Sequence, residues 1–346
     1  MRKDGTLAPA AEEADRKKIW ITWETQRRNE SMSRRLNARL YRFDIKRNRL
    51  MRYGISLWKT LRVLVREKPA LLFVQNPSLV LSLFGVSYGR LFGIPVVMDA
   101  HNAGVFPFEG QKGWANRLTH YLFRGAAFTI VSNDHLSDYV RQRGGRPVTL
   151  PDPLPEFGGQ GGKRSLRGRV NVLFICSWAA DEPYLEVIRA AELLKGDITI
   201  HITGKSRGKE GRTGRALPGN VVLTGYLSEE EFVGMLHSCD VVIDLTTRED
   251  CLVCGAYEAT AAEKPLIVSD TKVLREFFCK GTLYTDNTHT NLAEKIREAV
   301  RNRERLQQEI RELKREQLAD WEDRRREFER LLREKVEKKT GRGRER

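Results

Sequence analysis

Two series of alternating strand-like and helix-like segments dominate this sequence, one on each side of a stretch rich in proline, glycine and basic residues. The first series runs over 18–143, the second over 171–268, and the stretch between them lies at 151–168. Strands that alternate with helices predict a parallel sheet covered on both faces. A chain of 346 residues also suits two domains of about 150 residues each. The sequence therefore predicts an α/β protein with two doubly wound, Rossmann-like domains facing a cleft, followed by a C-terminal helix.

The boundaries of these parts follow changes of amino-acid composition along the chain. Within the first series, apolar spacing predicts helices over 27–39 and 57–66. Near the end of the chain, apolar side chains recur at helical spacing and predict a stripe that packs on the body, the helix returning to the first domain. These side chains are Trp321, Phe328, Leu331 and Leu332. We predict a polar N-terminal extension at 1–17, a first domain at 18–150, a linker at 151–168, a second domain at 169–310, and a basic C-terminal helix and tail at 311–346 that frays over TGRGRER.

An uncharged stretch at 69–89 has about the length that spans a bilayer. Polar and turn-forming residues, Gln75, Asn76 and Pro77, interrupt its middle. We therefore predict a short buried strand, a turn and an apolar helix that begins at Ser78, and no transmembrane helix.

The net charge of +15 favours anionic partners, which include nucleic acid, acidic lipid headgroups and phosphorylated small molecules. No helix-turn-helix, RNA-binding aromatic pair or zinc module is recognisable, so charge is the only support for nucleic acid. We predict no nucleic-acid partner.

The five cysteines are odd in number, and no secretory signal precedes them, so we predict reduced thiols in a cytoplasmic protein. Cys251 and Cys254 form a C-x-x-C, but a zinc site would need a second pair of ligands at suitable spacing. We predict no metal.

The segment DLTTREDCLVCGAYEATAAEKPLIVSD, from Asp244 to Asp270, reads as strand, polar loop, small-residue helix, proline and strand. A carboxylate in the first turns of a helix can accept hydrogen bonds from vicinal ribose hydroxyls, and amides at the helix start can face a diphosphate. Glu258, Cys254 and Gly255 are thus candidates for binding a nucleotide. A solvated helix face is the alternative for these residues taken alone.

This segment resembles the donor-binding segment of GT-B glycosyltransferases, above all those of family 4, in which two Glu residues are separated by seven others and precede a "P-hydrophobic-V-x-S-D" strand. Glu258 falls on the second Glu, and Asp250 on the first, which is a departure. The later positions of the signature are matched by Ala259, Pro265, Ser269 and Asp270. The resemblance implies that Glu258 holds the ribose and that Asp250 lies near the donor sugar at the reacting centre.

The stretch CSWAADEPYLEVIRAAELL, from Cys176, is similar to the loop and helix after the first strand of the second GT-B domain, with some likeness to dolichol-linked β-mannosyltransferases. This implies that Ser177 and Trp178 contact the donor. Family 4 enzymes often place an Arg and a Lys here, which this chain lacks. We predict that Lys205 and Arg207 take the place of this pair and neutralise the diphosphate. The alternative is that they are ordinary surface cations without a ligand.

In the first domain, MDAHNAG resembles the "D-x-H" segment of family 4 enzymes. The resemblance places His101 near the donor sugar and the reacting bond, where it can bond a hydroxyl or stabilise developing charge. We expect Asp99 to be structural, although a carboxylate here could be the base of an inverting enzyme.

The opening WITWETQRRNESMSRRLNARLY resembles the first strand and helix of bacterial polysaccharide glycosyltransferases. Its arginines are predicted to face the acceptor or the membrane and to bind a phosphorylated lipid carrier or anionic headgroups. They are Arg27, Arg28, Arg34 and Arg35. A solvated basic face is the alternative.

The resemblance covers about residues 18 to 335 and implies sugar transfer from a UDP- or GDP-linked sugar to a lipid-linked or polysaccharide acceptor. The first domain would bind the acceptor and the second the nucleotide sugar. We expect no metal and no cofactor, and a cytoplasmic protein held peripherally on the inner, anionic face of the membrane. The alternatives are a sugar-nucleotide epimerase-like enzyme of the same fold and a non-catalytic, degenerate transferase partner.

Overall fold

The computed structural model describes residues 17–76, 78–157, 162, 164–194, 196–209, 211 and 216–344. Two compact units divide the chain. One comprises the residues up to Pro153 together with those from Trp321 onward, and the other comprises Leu154–Asp320. Most of the predicted N-terminal extension, part of the predicted linker (158–161 and 163) and the last two residues of the predicted tail lie outside the described residues.

The first unit is built on a six-stranded sheet in the order β2-β1-β3-β4-β5-β6, with every neighbouring pair parallel. Its strands are β1 (Lys18–Thr22), β2 (Arg39–Arg42), β3 (Leu71–Asn76), β4 (Val96–Ala100), β5 (Phe128–Val131) and β6 (Pro147–Thr149). Its helices are α1 (Arg27–Arg35), α2 (Arg49–Glu67), α3 (Leu79–Phe92), α4 (Asn102–Val105), α5 (Gly113–Gly125) and α6 (Asp134–Gln142), with a 3₁₀ turn at Pro107–Gly110.

The second unit repeats the plan with the strand order β12-β11-β10-β7-β8-β9, again parallel throughout. Its strands are β7 (Val170–Phe174), β8 (Ile198–Thr203), β9 (Val221–Gly225), β10 (Val241–Asp244), β11 (Leu266–Ser269) and β12 (Thr282–Thr285). Its helices are α7 (Tyr184–Leu193), α8 (Glu229–Ser238), α9 (Cys254–Ala261), α10 (Lys272–Phe277) and α11 (His289–Arg301), followed by α12 (Arg303–Arg344). The predicted α/β fold with two doubly wound sheets and a C-terminal helix is confirmed.

The strand orders fix where each sheet can bind a ligand. In an open parallel sheet, a crevice forms at the carboxyl ends of two strands from which the chain proceeds in opposite directions. That point lies between β1 and β3 in the first unit and between β7 and β10 in the second.

The end of α12 belongs to the core of the first unit. Trp321, Phe328 and Leu332 are buried in one cluster with Trp20 and Phe73, on one face of the sheet. The indole Nε1 of Trp321 also donates to the Pro151 carbonyl over 3.0 Å. The predicted apolar stripe is confirmed for these three side chains, whereas Leu331 is only partly buried. The helix continues to Arg344, so the fraying predicted over the tail is wrong as far as that residue.

The structure differs from the sequence-based prediction mainly at helix ends and sheet edges. The helix predicted over 27–39 ends at Arg35, because Asn37 has a left-handed φ of 52° and the chain then enters the edge strand β2. The helix predicted over 57–66 begins at Arg49, where the Asn48 side chain caps it. The short strands β2, β6 and β12 and the helix α10 were not predicted, because short polar segments carry little periodicity.

The uncharged stretch at 69–89 contains β3 and most of α3, as predicted, whereas Pro77 of the predicted turn lies outside the described residues. Across the described parts of the chain, every helix is too short or too polar to cross a bilayer.

Candidate functional site

Two loops meet at the crevice of the second unit, one after β7 and one after β10. The Thr246 hydroxyl donates to Asp181 over 3.1 Å, and the Thr247 amide donates to the Asp181 carbonyl over 2.8 Å. Asp181 also forms an ion pair of 3.4 Å with Arg248. The crevice therefore contains a cation, Arg248, that was not among the predicted diphosphate-binding residues.

The loop after β7 is organised around one carboxylate, Glu182. Its oxygens accept hydrogen bonds from the amides of Ser177 and Ala179, each over 2.9 Å, and from the Ser177 hydroxyl over 2.8 Å. The Cys176 thiol lies 3.2 Å away, and burial followed by the Glu182 charge raises its pKa. Ser177, a predicted contact of the donor sugar nucleotide, is exposed, but its hydroxyl and its amide already donate hydrogen bonds to Glu182.

Trp178 is a core residue, which contradicts its predicted role at the donor. The side chain is buried against Tyr184, the backbone takes a left-handed φ of 64°, and the indole donates to the Thr203 carbonyl over 2.9 Å. Its own carbonyl accepts a 2.5 Å hydrogen bond from Lys209. The aromatic ring is thus packed in the core. Lys209 is a second cation near the crevice, and it was not predicted from the sequence.

The start of α9 departs from the predicted diphosphate cradle. Asp244, at the end of β10, is buried and accepts hydrogen bonds from the amides of Gly255 and Ala256. A Cβ on Gly255 would come within 2.6 Å of an Asp244 oxygen, so only glycine fits here. Cys254, just before, is exposed. The helix-start amides that were predicted to face a phosphate are therefore partly occupied by a carboxylate of the protein itself.

Glu258 and Asp250 lie on either side of this helix start. Glu258 is half-buried in the second turn of α9, and Asp250 is half-buried in the loop between β10 and α9. Burial, with the nearby carboxylates of Glu182 and Glu258, holds the pKa of Asp244 well above its ordinary value. The carboxylates of Asp244, Glu182 and Glu258 therefore lie close together, and this environment favours the protonated form of Asp244 more than water does.

The predicted cations Lys205 and Arg207 lie in the loop that follows β8, at the same edge of the sheet. Both side chains are exposed, and the Lys205 ammonium lies 5.8 Å from the Tyr226 ring centre. Arg207 has a left-handed φ of 51°. Their position is compatible with an anionic ligand at this edge.

In the first unit, Arg28 is part of a buried ion-pair network. Its guanidinium donates to both oxygens of Asp99 over 2.7–3.1 Å and also pairs with Asp152. Arg28 is 7% exposed and Asp99 is fully buried. Burial opposes the charge, but the carboxylates of Asp152 and Asp99 raise the pKa of Arg28 above its ordinary value. The prediction that Arg28 faces the acceptor or the membrane is therefore wrong, because two carboxylates hold it inside, whereas the structural role expected of Asp99 agrees with this network.

The other three arginines of α1 do not form one basic face. Arg35 is half-buried, with its guanidinium 5.0 Å from the Trp321 ring centre, whereas Arg27 and Arg34 are exposed. Packing of the helix against the core and α12 accounts for the difference.

His101 follows the end of β4 directly and precedes α4. Its backbone carbonyl accepts hydrogen bonds from the amides of Gly104 and Val105, over 2.6 and 3.1 Å. These bonds fix the turn in which the imidazole lies. Burial, followed by the nearby Arg28 charge, lowers the pKa of His101 below its ordinary value. The imidazole is therefore neutral at neutral pH and available as a hydrogen-bonding group.

A groove of about 300 Å³ opens at the crevice between β1 and β3. Aromatic rings and two arginines dominate its walls, together with Glu24 and several small or aliphatic side chains. The aromatic and basic members are Trp23, Tyr53, Phe108, Trp114, Arg49 and Arg52. Phe108 is 55% exposed and has a left-handed φ of 53°, a strained conformation for a bulky residue. Such strain is most often retained where a side chain has a function.

A larger cavity, of about 610 Å³, lies at the other end of the strands of the same sheet, next to their amino ends. Residues next to the amino ends of β4, β5 and β6 line it, together with Lys335 of α12. It is remote from the carboxyl ends of the strands, so the smaller groove is the better candidate for a ligand-binding site of this unit.

All five cysteines are free thiols, and among the described residues no group of three or more His, Cys, Asp or Glu side chains could hold a metal ion. Cys251 is half-buried and Cys254 is exposed.

Comparisons with known proteins agree with this architecture. Residues 171–317 match the family model "Glycosyl transferases group 1", and residues 10–151 match the "Glycosyl transferase 4-like domain". Among curated proteins, none has a matching sequence.

Solved structures resemble most of the chain. The Anabaena protein Alr3699/HepE, solved with UDP and glucose, is 12% identical with a TM-score of 0.68, covering 91% of this chain and 99% of that chain. Sucrose-phosphate synthase from Thermosynechococcus elongatus is 15% identical with a TM-score of 0.68, covering 86% and 83%. A glycosyltransferase from Rickettsia africae is 10% identical with a TM-score of 0.64, covering 94% of each chain. At such identities the likeness concerns the fold.

Proposed function

Because this chain belongs to the group 1, family 4-like glycosyltransferases of the GT-B fold, which transfer sugar from a nucleotide sugar, we propose that its acceptor is a lipid-linked or polysaccharide chain. The reaction takes place at an anionic membrane surface, to which the protein binds peripherally on the inner, cytoplasmic face. It uses a UDP- or GDP-linked sugar as substrate and needs neither a metal ion nor a cofactor.

The observation that carries the acceptor class is the groove between β1 and β3. Aromatic walls favour an acceptor with apolar faces, and Arg49 and Arg52 favour one that carries phosphate or carboxylate groups. A lipid carrier joined to a glycan through phosphate has both properties. The exposed, strained Phe108 lies 5.9 Å from Trp114, ring centre to ring centre, where the pair can hold such an acceptor.

The donor site comprises the loops after β7, β8 and β10 and the start of α9. Glu258 holds the ribose hydroxyls, and Asp250 lies toward the donor sugar. Lys205 and Arg207, joined by Arg248, neutralise the diphosphate, so that no metal is needed there. Because Glu182 and Asp244 already occupy several backbone amides, side-chain cations carry more of this task than the helix start does.

His101 acts at the reacting bond. Because its pKa is lowered, the neutral imidazole can accept or donate one hydrogen bond to a sugar hydroxyl as the leaving diphosphate departs. The likeness to dolichol-linked β-mannosyltransferases stays a prediction. An epimerase is not proposed, because both matching families are transferases.

Sugar transfer from UDP- and GDP-sugars to polyprenyl-phosphate-linked and free saccharide acceptors, in buffer that contains chelator, tests the proposal. Trp114→Ala should raise the acceptor KM about tenfold, the loss of one aromatic contact of about 1–1.5 kcal/mol, and leave donor affinity unchanged. Tyr121→Ala, which removes an exposed aromatic side chain from the same helix as Trp114 but outside the groove, is the matched control.

Transfer that requires a divalent metal would contradict the proposed metal independence. Equal efficiency with neutral saccharides that carry no phosphate or lipid would contradict the acceptor class. Nucleotide-sugar binding without transfer to any acceptor would favour the non-catalytic partner.

A further inference from the structure

The helix α2 carries two apolar stripes, and only one of them is buried in the described structure. The inner stripe includes Leu57 and Leu64, which pack in the core with β1 and β3 residues. The second stripe is formed by large apolar side chains that project into solvent. It consists of Leu50, Met51, Trp58, Leu61 and Val65, and we call it the outer stripe.

The outer stripe is continuous along the helix. At about 100° per residue, its five members fall within about 100° of the helix circumference, on the side away from the core. Leu50 is 86% exposed, Trp58 58% and Val65 57%. The neighbouring helix α3 packs beside α2 and exposes Leu91 and Phe92 as well. Extended apolar surface of this kind marks a site of interaction.

Basic side chains border the outer stripe on one side. They are Arg52, Lys59, Arg62 and Arg66. The Arg62 guanidinium lies 5.4 Å from the Trp58 ring centre, so cation and apolar surface are adjacent. The sequence of α2 contains a single acidic residue, Glu67, at its last position.

We propose that the outer stripe of α2 docks the protein on an anionic lipid bilayer. The helix lies in the plane of the interface, with Trp58, Leu61 and Val65 at the boundary between headgroups and acyl chains and the bordering cations on headgroup phosphates. Helices with a Trp- and Leu-containing face beside a Lys- and Arg-rich face bind in this way. The inference rests on the proposed membrane function and names the surface that performs it, in place of the arginines of α1.

Charge decides between a lipid surface and a second protein copy. The spacing of Met51, Trp58, Leu61 and Val65 would also suit a coiled-coil partner. Two copies of α2 would, however, bring bordering cations together with almost no carboxylates to pair with them, which disfavours self-association. An anionic bilayer complements both the apolar stripe and the cations.

Docking through α2 also orients the acceptor groove. Arg49, Arg52 and Tyr53, from the first turns of α2, line that groove. A helix held in the membrane interface therefore keeps the mouth of the groove at the headgroup level, where the phosphate of a lipid carrier lies.

Flotation of the full chain with vesicles of phosphatidylcholine, with and without phosphatidylglycerol, tests the proposal. Trp58→Ser/Leu61→Ser should lower the fraction bound to anionic vesicles at least about tenfold, since the headgroup boundary loses two apolar side chains. Lys59→Gln/Arg62→Gln should weaken binding about fivefold per charge at low salt and little at high salt. Leu318→Ser is the matched apolar control, because Leu318 and Leu61 are each 43% exposed but Leu318 lies in the second unit.

Wild-type protein that ignores anionic vesicles, or a Trp58→Ser/Leu61→Ser variant that binds them as well as wild type, would overturn the proposal. So would a wild-type dimer in vesicle-free solution that this variant converts to monomer, because the stripe would then bind a second copy. UDP should stabilise the variants and wild type equally, which shows that they are folded. Vesicle binding without transfer to lipid-linked acceptors would refute the proposed acceptor class alone. Transfer to these acceptors without vesicle binding would refute membrane docking and leave the proposed acceptor class standing.

Discussion

Removing Arg28 should destabilise the first unit far more than removing any exposed arginine of the same helix. The guanidinium is 7% exposed and neutralises Asp99, which is fully buried. Three N···O contacts of 2.7–3.1 Å join the two side chains, and Asp152 supplies a second carboxylate. In Arg28→Met, the volume is nearly retained, but the Asp99 charge is left buried with no counter-charge.

The expected loss follows from this geometry. Breaking a buried pair by removing one partner costs about 3–5 kcal/mol, because the remaining charge keeps its desolvation penalty. For a unit of about 150–250 residues, each kcal/mol lowers Tm by about 2–4 °C, so Arg28→Met should lower the Tm of this unit by about 6–20 °C. Arg28→Met/Asp99→Asn should recover part of the loss, since no unpaired charge is then buried.

Differential scanning calorimetry measures this directly. Arg34→Met is the matched control, because Arg34 is exposed on the same helix and its replacement should change the free energy of unfolding by at most about 0.5 kcal/mol. A wild-type Tm in Arg28→Met, or equal shifts for Arg28→Met and Arg34→Met, would show that the network contributes nothing and that the α1 arginines are equivalent surface groups.

Three further predictions concern the reaction site. Glu258→Ala should weaken donor binding about tenfold to a hundredfold, since each hydrogen bond to a charged group contributes about 1.5–3 kcal/mol. Titration calorimetry with UDP- and GDP-sugars should find no such loss in the control Glu192→Ala, because Glu192 lies in the last turn of α7, at the end away from the loop after β7. His101→Ala should lower kcat more than donor affinity, with chelator making no difference, and wild-type kcat should persist as pH falls through 6.5, because the pKa of His101 lies below that ordinary value. The folded-state pKa of Asp244 is raised above its ordinary 3.8, so the stability that it contributes is present below pH 3.8 and is lost as pH rises through the folded-state pKa. Asp244→Asn keeps an acceptor for the Gly255 amide, and urea denaturation should show it gaining on wild type as pH rises above 3.8.

Each of these predictions has a clear contrary result. Undiminished donor affinity in Glu258→Ala would remove Glu258 from the donor site, and undiminished turnover in His101→Ala would remove His101 from the reacting bond. A constant difference in stability between Asp244→Asn and wild type across the pH range would show that Asp244 does not titrate differently in the folded protein.

Local periodicity carried enough information for the fold. The alternation of apolar strands and amphipathic helices predicted both parallel sheets, and the spacing of Trp321, Phe328 and Leu332 predicted a packed C-terminal stripe. These features depend on residues close in sequence, because the periods of a strand and a helix are local properties of the backbone.

The partners of charged and aromatic side chains were beyond the reach of such patterns. Arg28 pairs with Asp99 and Asp152, which are 71 and 124 positions away, so nothing near Arg28 in sequence distinguishes it from the exposed Arg34. Trp178 lies in the core, where its indole donates a hydrogen bond to the carbonyl of Thr203 on a neighbouring strand.

The sequence by itself determined that this chain forms two doubly wound sheets, and it predicted a donor-binding segment after β10. Only the tertiary structure decided which of the two apolar stripes of α2 is covered, since both have helical spacing and the sheet can pack against one side of a helix at a time. The same holds for Asp244, whose raised pKa depends on burial and on carboxylates that the fold brings beside it. Burial and charge proximity act through space, and the chain acquires them only when its distant segments pack together.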